Sequence, residues 1–363
     1  MTTSLSNMKL LITGGAGFIG SALVRHLLTE TDCPVLNVDK MTYAAVPGAL
    51  DTIEAHPRYH FAEQDICDLT VMRTLLAEFR PDAVINLAAE SHVDRSIDGA
   101  GEFIQANIVG TYALLQGTLE YWQALAPTAR KNFRFFQIST DEVFGPAPAG
   151  AQFNEDAPSR PSSPYAASKA SADHLVMAWH HTFGLPVLIS RCTNNFGPFQ
   201  FPEKLIPLTI ARAAGGQSIN IYGDGRQQRD WLHVDDHVAG LLAVLGAGRA
   251  GQSYALGSGE VRDNLAVVTT LCGLLDEALP TSAHRPHENL ITFVADRPGH
   301  DIRYALDITK ARTELNWQPS ISFSHGLRDT VAWYLQHRDW WGGILQTVYD
   351  GERLGQAAVQ AKQ

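Results

Sequence analysis

The sequence is poor in cysteine and has no long apolar run. Its four cysteines, Cys33, Cys67, Cys192 and Cys272, are too far apart for a zinc-ligand spacing, so no metal site is expected. The four cysteines are expected to be buried thiols in a reducing compartment, which predicts a cytoplasmic location. No apolar run approaches the ~18 residues of a membrane span, and the N-terminus lacks the apolar segment of a signal peptide.

Positive charge is also scarce. The formal net charge is −10, and no local Lys/Arg cluster offsets it, which argues against a nucleic-acid partner. Small anionic ligands remain possible, because backbone amides and a few arginines bind phosphate even within an acidic protein. A hydrophobic fraction of 45% and a charged fraction of 18% predict a globular chain of two domains, or of one large core and a smaller lobe.

The first motif predicts a dinucleotide site. The apolar run 9–13 is typical of a buried parallel strand, and it leads directly into Gly14-Gly15-Ala16-Gly17-Phe18-Ile19-Gly20 and a helix ending near Glu30. Glycines at such a turn let backbone amides approach a pyrophosphate at the helix N-terminus.

The second strand, 35–39, ends in Asp39, about 20 residues past the glycines. A carboxylate there accepts hydrogen bonds from ribose hydroxyls and repels a 2′-phosphate, which favours NAD over NADP. The adjoining Lys40 argues in the opposite direction, and a plain turn residue at the strand end is the alternative reading of Asp39.

Strands and helices continue to alternate. Strands are predicted over 59–63, 83–87, 134–139 and 186–191, with helices over 69–79 and 103–121 between them. This order predicts an α/β fold, a Rossmann-like doubly wound parallel sheet with a smaller C-terminal α/β substrate lobe. The strand at 134–139 delivers Thr140-Asp141-Glu142 to the sheet edge at which ligands bind in such folds.

The predicted domain organisation follows from a change in amino-acid composition after residue 193. Residues 1–193 are predicted to form the NAD-binding domain, with 235–262 returning to it. The polar, proline-rich segment 194–234 and residues 263–350 are assigned to the smaller lobe, and 351–363 to a tail.

The segment Ser162–Lys169 carries the chemistry. Two prolines precede a run of helix formers, so Tyr165 and Lys169, four residues apart, share one face of a helix. An ammonium near a phenol favours the phenolate, and this predicts that Lys169 lowers the Tyr165 pKa. Tyr165 would then take a proton from an alcohol near neutral pH.

Together these segments resemble the extended short-chain dehydrogenase/reductase (NAD-dependent epimerase/dehydratase) family. Within it they are most similar to the branch that dehydrates dTDP-glucose, from about Lys9 to Trp341. The fingerprint and the Tyr165/Lys169 pair are general to the family, whereas Thr140-Asp141-Glu142 and Asp296-Arg297-Pro298-Gly299-His300 are more specific.

The resemblance implies a role for each matching position. Thr140 would hold the sugar's 4-hydroxyl with Tyr165, and Asp141 and Glu142 would be the acid and base for losing water. The expected cofactor residues are Gly14, Gly17, Phe18, Ile19, Gly20, Asp39, Lys40, Thr42, Asp65, Ile66, Leu87, Ala88, Ala89, Ser91, Ala106, Tyr165, Lys169 and Asn195. The expected substrate residues are Ser91, Thr140, Asn195, Lys204, Leu205, Arg229, Asn264, Asp296, Arg297, Pro298, Gly299 and His300.

The residue chemistry agrees with this assignment. Removal of the 4-hydroxyl proton by Tyr165 accompanies hydride transfer to NAD⁺, and the resulting ketone acidifies the C5 proton that Glu142 removes. A neutral Asp141 would protonate the departing 6-hydroxyl. Repulsion between adjacent carboxylates keeps one protonated near neutral pH, but the sequence does not decide which one.

Several alternatives stay open. Arg229 could form a structural salt bridge instead of contacting a diphosphate, Asn264 could cap a helix, and His300 could pack the loop. Another nucleotide-sugar dehydratase or a 4-epimerase would share the NAD site, and a non-catalytic NAD-binding protein belongs to a different class. The resemblance also implies a homodimer through the helices near 103–121 and 165–181.

This chain departs from the family pattern at three places. Phe144 and His233 stand where tyrosine is common, and Ala45-Val46-Pro47 replaces a usual Gly-Asn. None of these changes removes a predicted catalytic group, but they bear on the choice of base and sugar.

Overall fold

The computed structural model describes residues 5, 7–349 and 354, so the predicted tail over 351–363 lies outside the described residues except for residue 354. Its strands are β1 (Leu10–Thr13), β2 (Val35–Asp39), β3 (Tyr59–Glu63), β4 (Ala83–Asn86), β5 (Arg134–Thr140), β6 (Val187–Cys192), β7 (Asn194–Phe196), β8 (Ile219–Tyr222), β9 (Gln228–His233), β10 (Gln252–Leu256), β11 (Val261–Asp263) and β12 (Ile291–Val294).

The α-helices of the described part are α1 (Phe18–Glu30), α2 (Leu69–Phe79), α3 (Val93–Asp98), α4 (Ala100–Phe103), α5 (Thr111–Ala124), α6 (Pro127–Asn132), α7 (Pro164–Phe183), α8 (Leu205–Ala214), α9 (Val234–Ala247), α10 (Asn264–Ala278), α11 (Thr309–Leu315), α12 (Phe323–Gln336) and α13 (Arg338–Thr347). Short 3-10 helices cover Asp141–Phe144 and His287–Leu290. The sequence predicts a closing helix near 326–337, which is α12; α13, which follows it, is not predicted.

Seven parallel strands form the main sheet, in the order β10-β6-β5-β4-β1-β2-β3. The strand order reverses between β1 and β4, which is where open α/β sheets bind ligands at the carboxyl ends of their strands. The predicted Rossmann-like doubly wound sheet is confirmed.

Both faces of this sheet are covered, which explains the unbroken apolar runs of its strands. Successive side chains of β1 point to opposite faces, so Leu10 and Ile12 lie in the core shared with α1 and α9. Leu11 lies in the opposite core, together with side chains from α2, α5 and α7. The sheet is therefore the middle of three layers.

Buried polar side chains join the three central strands near their carboxyl ends. Thr13 Oγ1 donates to Asn86 Oδ1 at 2.6 Å, and Asn86 Nδ2 donates to Gln137 Oε1 at 2.8 Å. Thr13 Oγ1 also accepts a hydrogen bond from the Ala88 amide at 3.2 Å. These bonds satisfy buried polar atoms and hold the segment after β4 against β1.

The segment 103–121, predicted as one long helix, is helical throughout. Its first part, Ile104–Gly110, is a π-helical segment between α4 and α5. Asn107 lies within this segment and is buried. Its Nδ2 donates to Glu90 O at 3.0 Å and to Ser168 Oγ at 2.8 Å, and its Oδ1 accepts from the Glu90 amide at 2.9 Å. Asn107 therefore links the segment after β4 to α7.

The smaller lobe contains the three-stranded sheet β11-β9-β7 and the two-stranded parallel sheet β12-β8. Its apolar core is formed largely by α8, α10 and α12. The chain crosses back once, since β10 pairs with β6 in the main sheet. It crosses again further on, because Ala311, Leu315 and Trp317 pack in the core shared with α1 and α9, although the sequence assigned 263–350 to the lobe. The division into domains stays a prediction.

The cysteines differ in part from the sequence prediction. Cys33, Cys192 and Cys272 are free and buried, as expected, but Cys67 is partly exposed because it lies in the turn before α2. In the part of the chain that is described, no helix has both the length and the apolar character needed to cross a membrane.

Candidate active site

The turn between β1 and α1 requires its glycines. Gly14 has φ +72°, and a Cβ at this position would lie 2.6 Å from the Ala88 amide nitrogen. A Cβ at Gly20 would lie 2.1 Å from the Gly14 carbonyl oxygen. No side chain fits at either position, so the backbone amides at the start of α1 are left open to an anionic ligand.

Asp39 ends β2 beside this turn, and its carboxylate is held by backbone amides. Oδ2 accepts from Ala16 N and Oδ1 accepts from Met41 N, both at 2.9 Å. Burial raises the Asp39 pKa, and these amides and Lys40 oppose that effect. The Lys40 ammonium lies 3.6 Å from Asp65, so the cation next to Asp39 is already paired with another carboxylate.

One cleft at the carboxyl edge of the main sheet collects every predicted cofactor residue. Its lining includes Gly14, Gly17, Phe18, Ile19, Gly20, Asp39, Lys40, Thr42, Asp65, Ile66, Leu87, Ala88, Ala89, Ser91, Ala106, Tyr165, Lys169 and Asn195. The predicted catalytic residues Thr140, Asp141 and Glu142 line the same cleft. A dinucleotide lying from Asp39 toward Tyr165 would therefore end beside these three residues.

Tyr165 and Lys169 enter the cleft from the first turns of α7. Ser163 is the N-cap of this helix, with its Oγ accepting from the Ala166 amide at 3.1 Å. Both Tyr165 and Lys169 are buried. Lys169 Nζ donates to the carbonyl oxygen of Ile138 at 2.7 Å, which ties α7 to the strand that carries Thr140.

The Tyr165 pKa is raised, whereas the sequence predicts that it is lowered. Burial and the neighbouring Glu142 carboxylate raise the Tyr165 pKa well above its usual value, and a hydrogen bond with Thr140 opposes this only in part. Burial also lowers the Lys169 pKa. Sequence spacing correctly indicated a shared helix face, but it carries no information about the burial that raises the Tyr165 pKa.

The two acidic residues differ in environment. Asp141 is 3% exposed; its Oδ1 accepts from Thr140 Oγ1 at 3.3 Å, and its Oδ2 is buried with no partner among the described residues. Burial and the Glu142 charge raise the Asp141 pKa well above its usual value. Burial also raises the Glu142 pKa, but Arg297, Arg229 and Lys204 all oppose that rise. The environment therefore favours the neutral acid at Asp141 and the ionised base at Glu142.

Arg229 is buried between the acids and the loop that follows Arg297. It donates to the carbonyl oxygens of Gln228 at 2.7 Å and Asp301 at 2.9 Å, and its guanidinium stacks on Tyr304 at 4.3 Å. Within the described ranges it has no carboxylate at ion-pair distance, so the alternative of a structural salt bridge is not observed. Its charge acts on Asp141 and Glu142 over a longer range.

The remaining predicted substrate residues are less tightly grouped. Ser91, Thr140, Asn195 and Lys204 line the cofactor cleft, whereas Leu205, Arg229, Asn264 and the loop Asp296, Arg297, Pro298, Gly299 and His300 do not. The N-cap of α10 is Asp263, so Asn264 is not the cap; its Oδ1 is buried with no partner in the described part of the chain.

The histidine of the loop 296–300 has an internal partner. His300 Nδ1 lies 2.6 Å from Asp296 Oδ1, and burial lowers the His300 pKa to about 4. Asp296 in turn accepts from Gln227 Nε2 at 2.9 Å. His300 is therefore neutral near pH 7 and supports the loop, which agrees with the loop-packing alternative.

Sequence reasoning missed several cleft residues, of which Cys192 is the clearest. It ends β6 and pairs in register with Thr140 on β5, so its thiol lies near Tyr165 and Asp141. Burial raises its pKa to about 12, and the thiol stays protonated. The rule that parallel strands deliver their ends to one edge could have identified it. Glu203 lies in a loop and had no such signal, yet it also lines the cleft.

The three departures from the family pattern have local explanations. Phe144 is buried against Phe153, with ring centroids 5.4 Å apart, and the His233 ring accepts from the Asp235 amide at 3.3 Å as the N-cap of α9. Of the three, only the Ala45 segment reaches the cofactor cleft. Across the residues described, no group of three or more His, Cys, Asp or Glu side chains is arranged to hold a metal ion.

Comparisons with known proteins agree on the family. A family model described as GDP-mannose 4,6 dehydratase matches residues 11–330. The dTDP-glucose 4,6-dehydratase of Neisseria meningitidis serogroup B is 52% identical over 350 residues, which cover 96% of this chain and 99% of that protein. The Escherichia coli dTDP-glucose 4,6-dehydratase is 48% identical and covers 96% of this chain and 99% of its own length.

Solved structures of related enzymes have the same fold. The structure of DesIV (dTDP-glucose 4,6-dehydratase) from Streptomyces venezuelae with NAD and TYD bound has a TM-score of 0.84 at 42% identity, covering 93% of this chain and 100% of that one. A UDP-glucose 4-epimerase from Thermotoga maritima with UDP-glucose has a TM-score of 0.78 at 27% identity, with coverage of 91% and 99%. The architecture is thus common to dehydratases and epimerases.

Proposed function

This chain belongs to the family described as GDP-mannose 4,6 dehydratase, and on that premise we propose that it is an NAD-dependent hydro-lyase acting on dTDP-glucose. The product is dTDP-4-keto-6-deoxyglucose, formed by oxidation at C4, loss of water across C5 and C6, and reduction at C6. The observation that carries this function is the adjacent pair of a buried Asp141 and a partly buried Glu142, which lines the cleft with Tyr165. A reaction confined to C4 has no need for a second proton donor and acceptor.

The chain's residues fit NAD in two respects. The turn at Gly14 and Gly20 leaves no room for side chains where a pyrophosphate approaches, and Asp39 stands where ribose hydroxyls need an acceptor. Lys169 lies in the same cleft and would hold the second ribose. When bound, NAD supplies the acceptor for the C4 hydride, the donor that returns it to C6, and a positive charge in its oxidised form.

Tyr165 and Thr140 act on the 4-hydroxyl of the sugar. Thr140 holds this hydroxyl, and Tyr165 accepts its proton as C4 becomes a ketone. The Thr140 hydrogen bond lowers the Tyr165 pKa against the effects of burial and Glu142, so it favours the form of Tyr165 that accepts a proton.

Glu142 and Asp141 remove water from the ketone. The 4-ketone acidifies the C5 proton, and Glu142, whose ionised form is favoured by Arg297, Arg229 and Lys204, removes it. Burial raises the Asp141 pKa, and its Oδ2 has no partner among the described residues, which favours Asp141 as the protonated donor for the departing 6-hydroxyl. The proton lost from C5 and the proton gained by the leaving group thus use different carboxyls.

The test is mass spectrometry of the products formed by purified protein from dTDP-glucose, with UDP-glucose, GDP-mannose and dTDP-galactose in parallel. A product lighter by one water, formed from dTDP-glucose without accumulation of reduced nicotinamide, is expected. Water loss from another sugar nucleotide would retain the mechanism and change the substrate. A product of unchanged mass would mean 4-epimerase chemistry, and tightly bound NAD without any turnover would mean a non-catalytic protein.

The proposal includes a homodimer formed through α5 and α7. Tyr112 and Phe183 are 45% and 44% exposed, and Trp179 packs edge-on against both rings, at 5.9 Å and 5.6 Å. Ile104, 52% exposed, lies in the helical stretch that leads into α5. Such an exposed apolar surface is typical of an interface, and a second copy presents the same surface in a two-fold arrangement.

The dimer is tested by light scattering during size-exclusion chromatography. The wild-type protein is expected to have twice the mass of one chain, and Tyr112→Glu is expected to have the mass of one chain. Phe293→Glu, which alters a 54% exposed aromatic residue on β12, is the control and should remain dimeric. Wild-type protein of single-chain mass would contradict this part of the proposal. A reducing, cytoplasmic setting is also proposed, supported by four cysteines that are all free.

A further inference from the structure

The smaller lobe meets the main domain at the short segment Ser91–Arg95, which follows β4. Lys204 Nζ donates to the Ser91 carbonyl oxygen at 3.3 Å, and Arg95 Nε donates to Glu203 Oε2 at 3.1 Å. Arg95 also stacks on the ring of Tyr43 at 3.8 Å. Two of the contacts between the two parts of the chain thus lie beside the cleft that holds the acids.

Asp94 is the buried centre of this segment, and its two oxygens have different partners in the lobe. Oδ1 accepts a hydrogen bond from Nη1 of Arg297, and Oδ2 accepts one from the Tyr222 hydroxyl at 3.1 Å. Asp94 is 4% exposed. A buried carboxylate with a charged donor on one oxygen fixes that donor's direction as well as its distance.

Arg297 is held at one end of its guanidinium only. Nη1 is used by Asp94, whereas Nε is buried and has no hydrogen-bond partner among the described residues. A buried, unpartnered guanidinium N–H is costly, and an anionic oxygen would satisfy it. The charges of Arg297, Arg229 and Lys204 all act on Glu142, so the region carries three cations around one required base.

A simple link between lobes does not account for this arrangement. If Arg297 served only to join the two lobes, both ends of its guanidinium would be expected to have partners. Besides Asp94, Glu142 is the carboxylate whose charge acts on Arg297. Pairing of Arg297 with Glu142 would occupy the base. Asp94 instead holds Arg297 through Nη1 and leaves Nε available.

We propose that Asp94 is a positioning residue that holds Arg297 away from Glu142 and directs its free Nε edge to the diphosphate of the substrate. The proposal rests on the function proposed above, since it requires a nucleoside diphosphate sugar. Asp94 does not touch the reacting atoms. It acts through Arg297, and its effect is on binding of the anionic part of the substrate.

The test compares D94N with the wild-type enzyme, both with NAD bound. Asparagine retains the size of Asp94 and one acceptor oxygen but removes its charge, so Arg297 is held only by a weaker hydrogen bond to a neutral acceptor. The KM for dTDP-glucose is expected to rise roughly 10- to 100-fold, the range of one charge-assisted hydrogen bond, and kcat to fall by a smaller factor. Inhibition by dTDP should weaken far more than inhibition by dTMP, because the second phosphate is the group that Arg297 meets.

Two further variants distinguish the positioning of Arg297 by Asp94 from a purely structural role of Asp94. Tyr222→Phe removes the other hydrogen bond of Asp94 without changing its charge, and its KM should stay within about 3-fold of wild type. In an R297Q background, D94N should have little further effect on KM, because both changes remove the same interaction. NAD content and melting temperature serve as controls for folding. If D94N folds poorly, D94E, which keeps the charge but displaces it, should have an intermediate KM.

The outcomes distinguish the inference from the function on which it rests. If the wild-type enzyme does not convert dTDP-glucose, the proposed function is wrong. If the wild-type enzyme converts it but D94N has an unchanged KM, or weakens dTDP and dTMP equally, the role of Asp94 is wrong. Additive effects of D94N and R297Q would also overturn it, as would a KM increase in Tyr222→Phe equal to that of D94N.

Discussion

Replacing Asp141 by asparagine is expected to separate loss of water from the steps before it. The Asp141 side chain is buried, and its Oδ1 accepts from Thr140 Oγ1 at 3.3 Å. Asparagine has nearly the same shape and keeps an oxygen for this bond, but it carries no transferable proton. We expect D141N to bind substrate, to oxidise C4, and to lose water about 10²- to 10⁴-fold more slowly, the usual contribution of a positioned general acid.

Two measurements follow the separated steps. Because oxidation at C4 continues in D141N, reduced nicotinamide should accumulate, which its near-ultraviolet absorbance measures. In deuterated water, mass spectrometry should find exchange at C5, since Glu142 is unchanged. The matched variant E142Q should also accumulate reduced nicotinamide but should incorporate no deuterium at C5. The reasoning from burial is refuted if D141N blocks C5 exchange while E142Q exchanges at the wild-type rate, because the two roles would then be reversed.

The same assignment predicts the pH dependence of kcat. Burial and the Glu142 charge raise the Asp141 pKa, so rising pH removes the proton that the leaving hydroxyl needs, and kcat falls on the alkaline side. Falling pH protonates Glu142, whose pKa burial also raises, and kcat falls on the acid side. Steady-state profiles should show that D141N keeps the acid limb and loses the alkaline one; an unchanged alkaline limb would contradict the assignment.

Three other changes have definite expected outcomes. Tyr165→Phe removes the base at C4, so a single-turnover assay should find neither reduced nicotinamide nor product, and substantial product would contradict its role. Gly20→Ala places a Cβ 2.1 Å from the Gly14 carbonyl oxygen and should abolish NAD binding, measured by cofactor content, whereas Gly101→Ala, with open space around it, should bind NAD normally. His237 is buried, with its pKa lowered to about 3. The folded state requires neutral His237, whereas the unfolded state binds a proton at this residue more readily. The folded protein is therefore most stable above the unfolded-state pKa of histidine and loses stability as pH falls below it. The free energy of unfolding, measured with urea, should fall by roughly 2 kcal/mol more between about pH 7 and about pH 5 in wild type than in His237→Leu. Equal decreases in the two proteins would contradict this.

Local patterns in the chain were enough to predict most of the fold. Buried parallel strands are continuous apolar runs, and the strands at 35–39 and 59–63 begin and end where the pattern predicted. The glycine turn carries its own steric requirement, which is why its position could be predicted from the pattern, whereas most of the other cleft residues followed from the family resemblance and their contacts with NAD stay a prediction. The π-helical segment at Ile104–Gly110 could not be predicted, since it depends on how Asn107 bonds to Glu90 and Ser168 after packing.

Short-range periodicity and turn geometry are enough to predict the class of sheet, the glycine turn, and the residue types that meet at the carboxyl ends of the strands. Protonation depends on the packed chain. Asp141 and Glu142 are chemically similar neighbours, and burial raises the pKa of both. They differ because the Glu142 charge raises the Asp141 pKa further, whereas three cations oppose the rise at Glu142. The contact of Asp94 with Arg297 joins residues 203 positions apart. Electrostatic environment and long-range contacts are properties of the packed chain, which is why no local pattern could supply them.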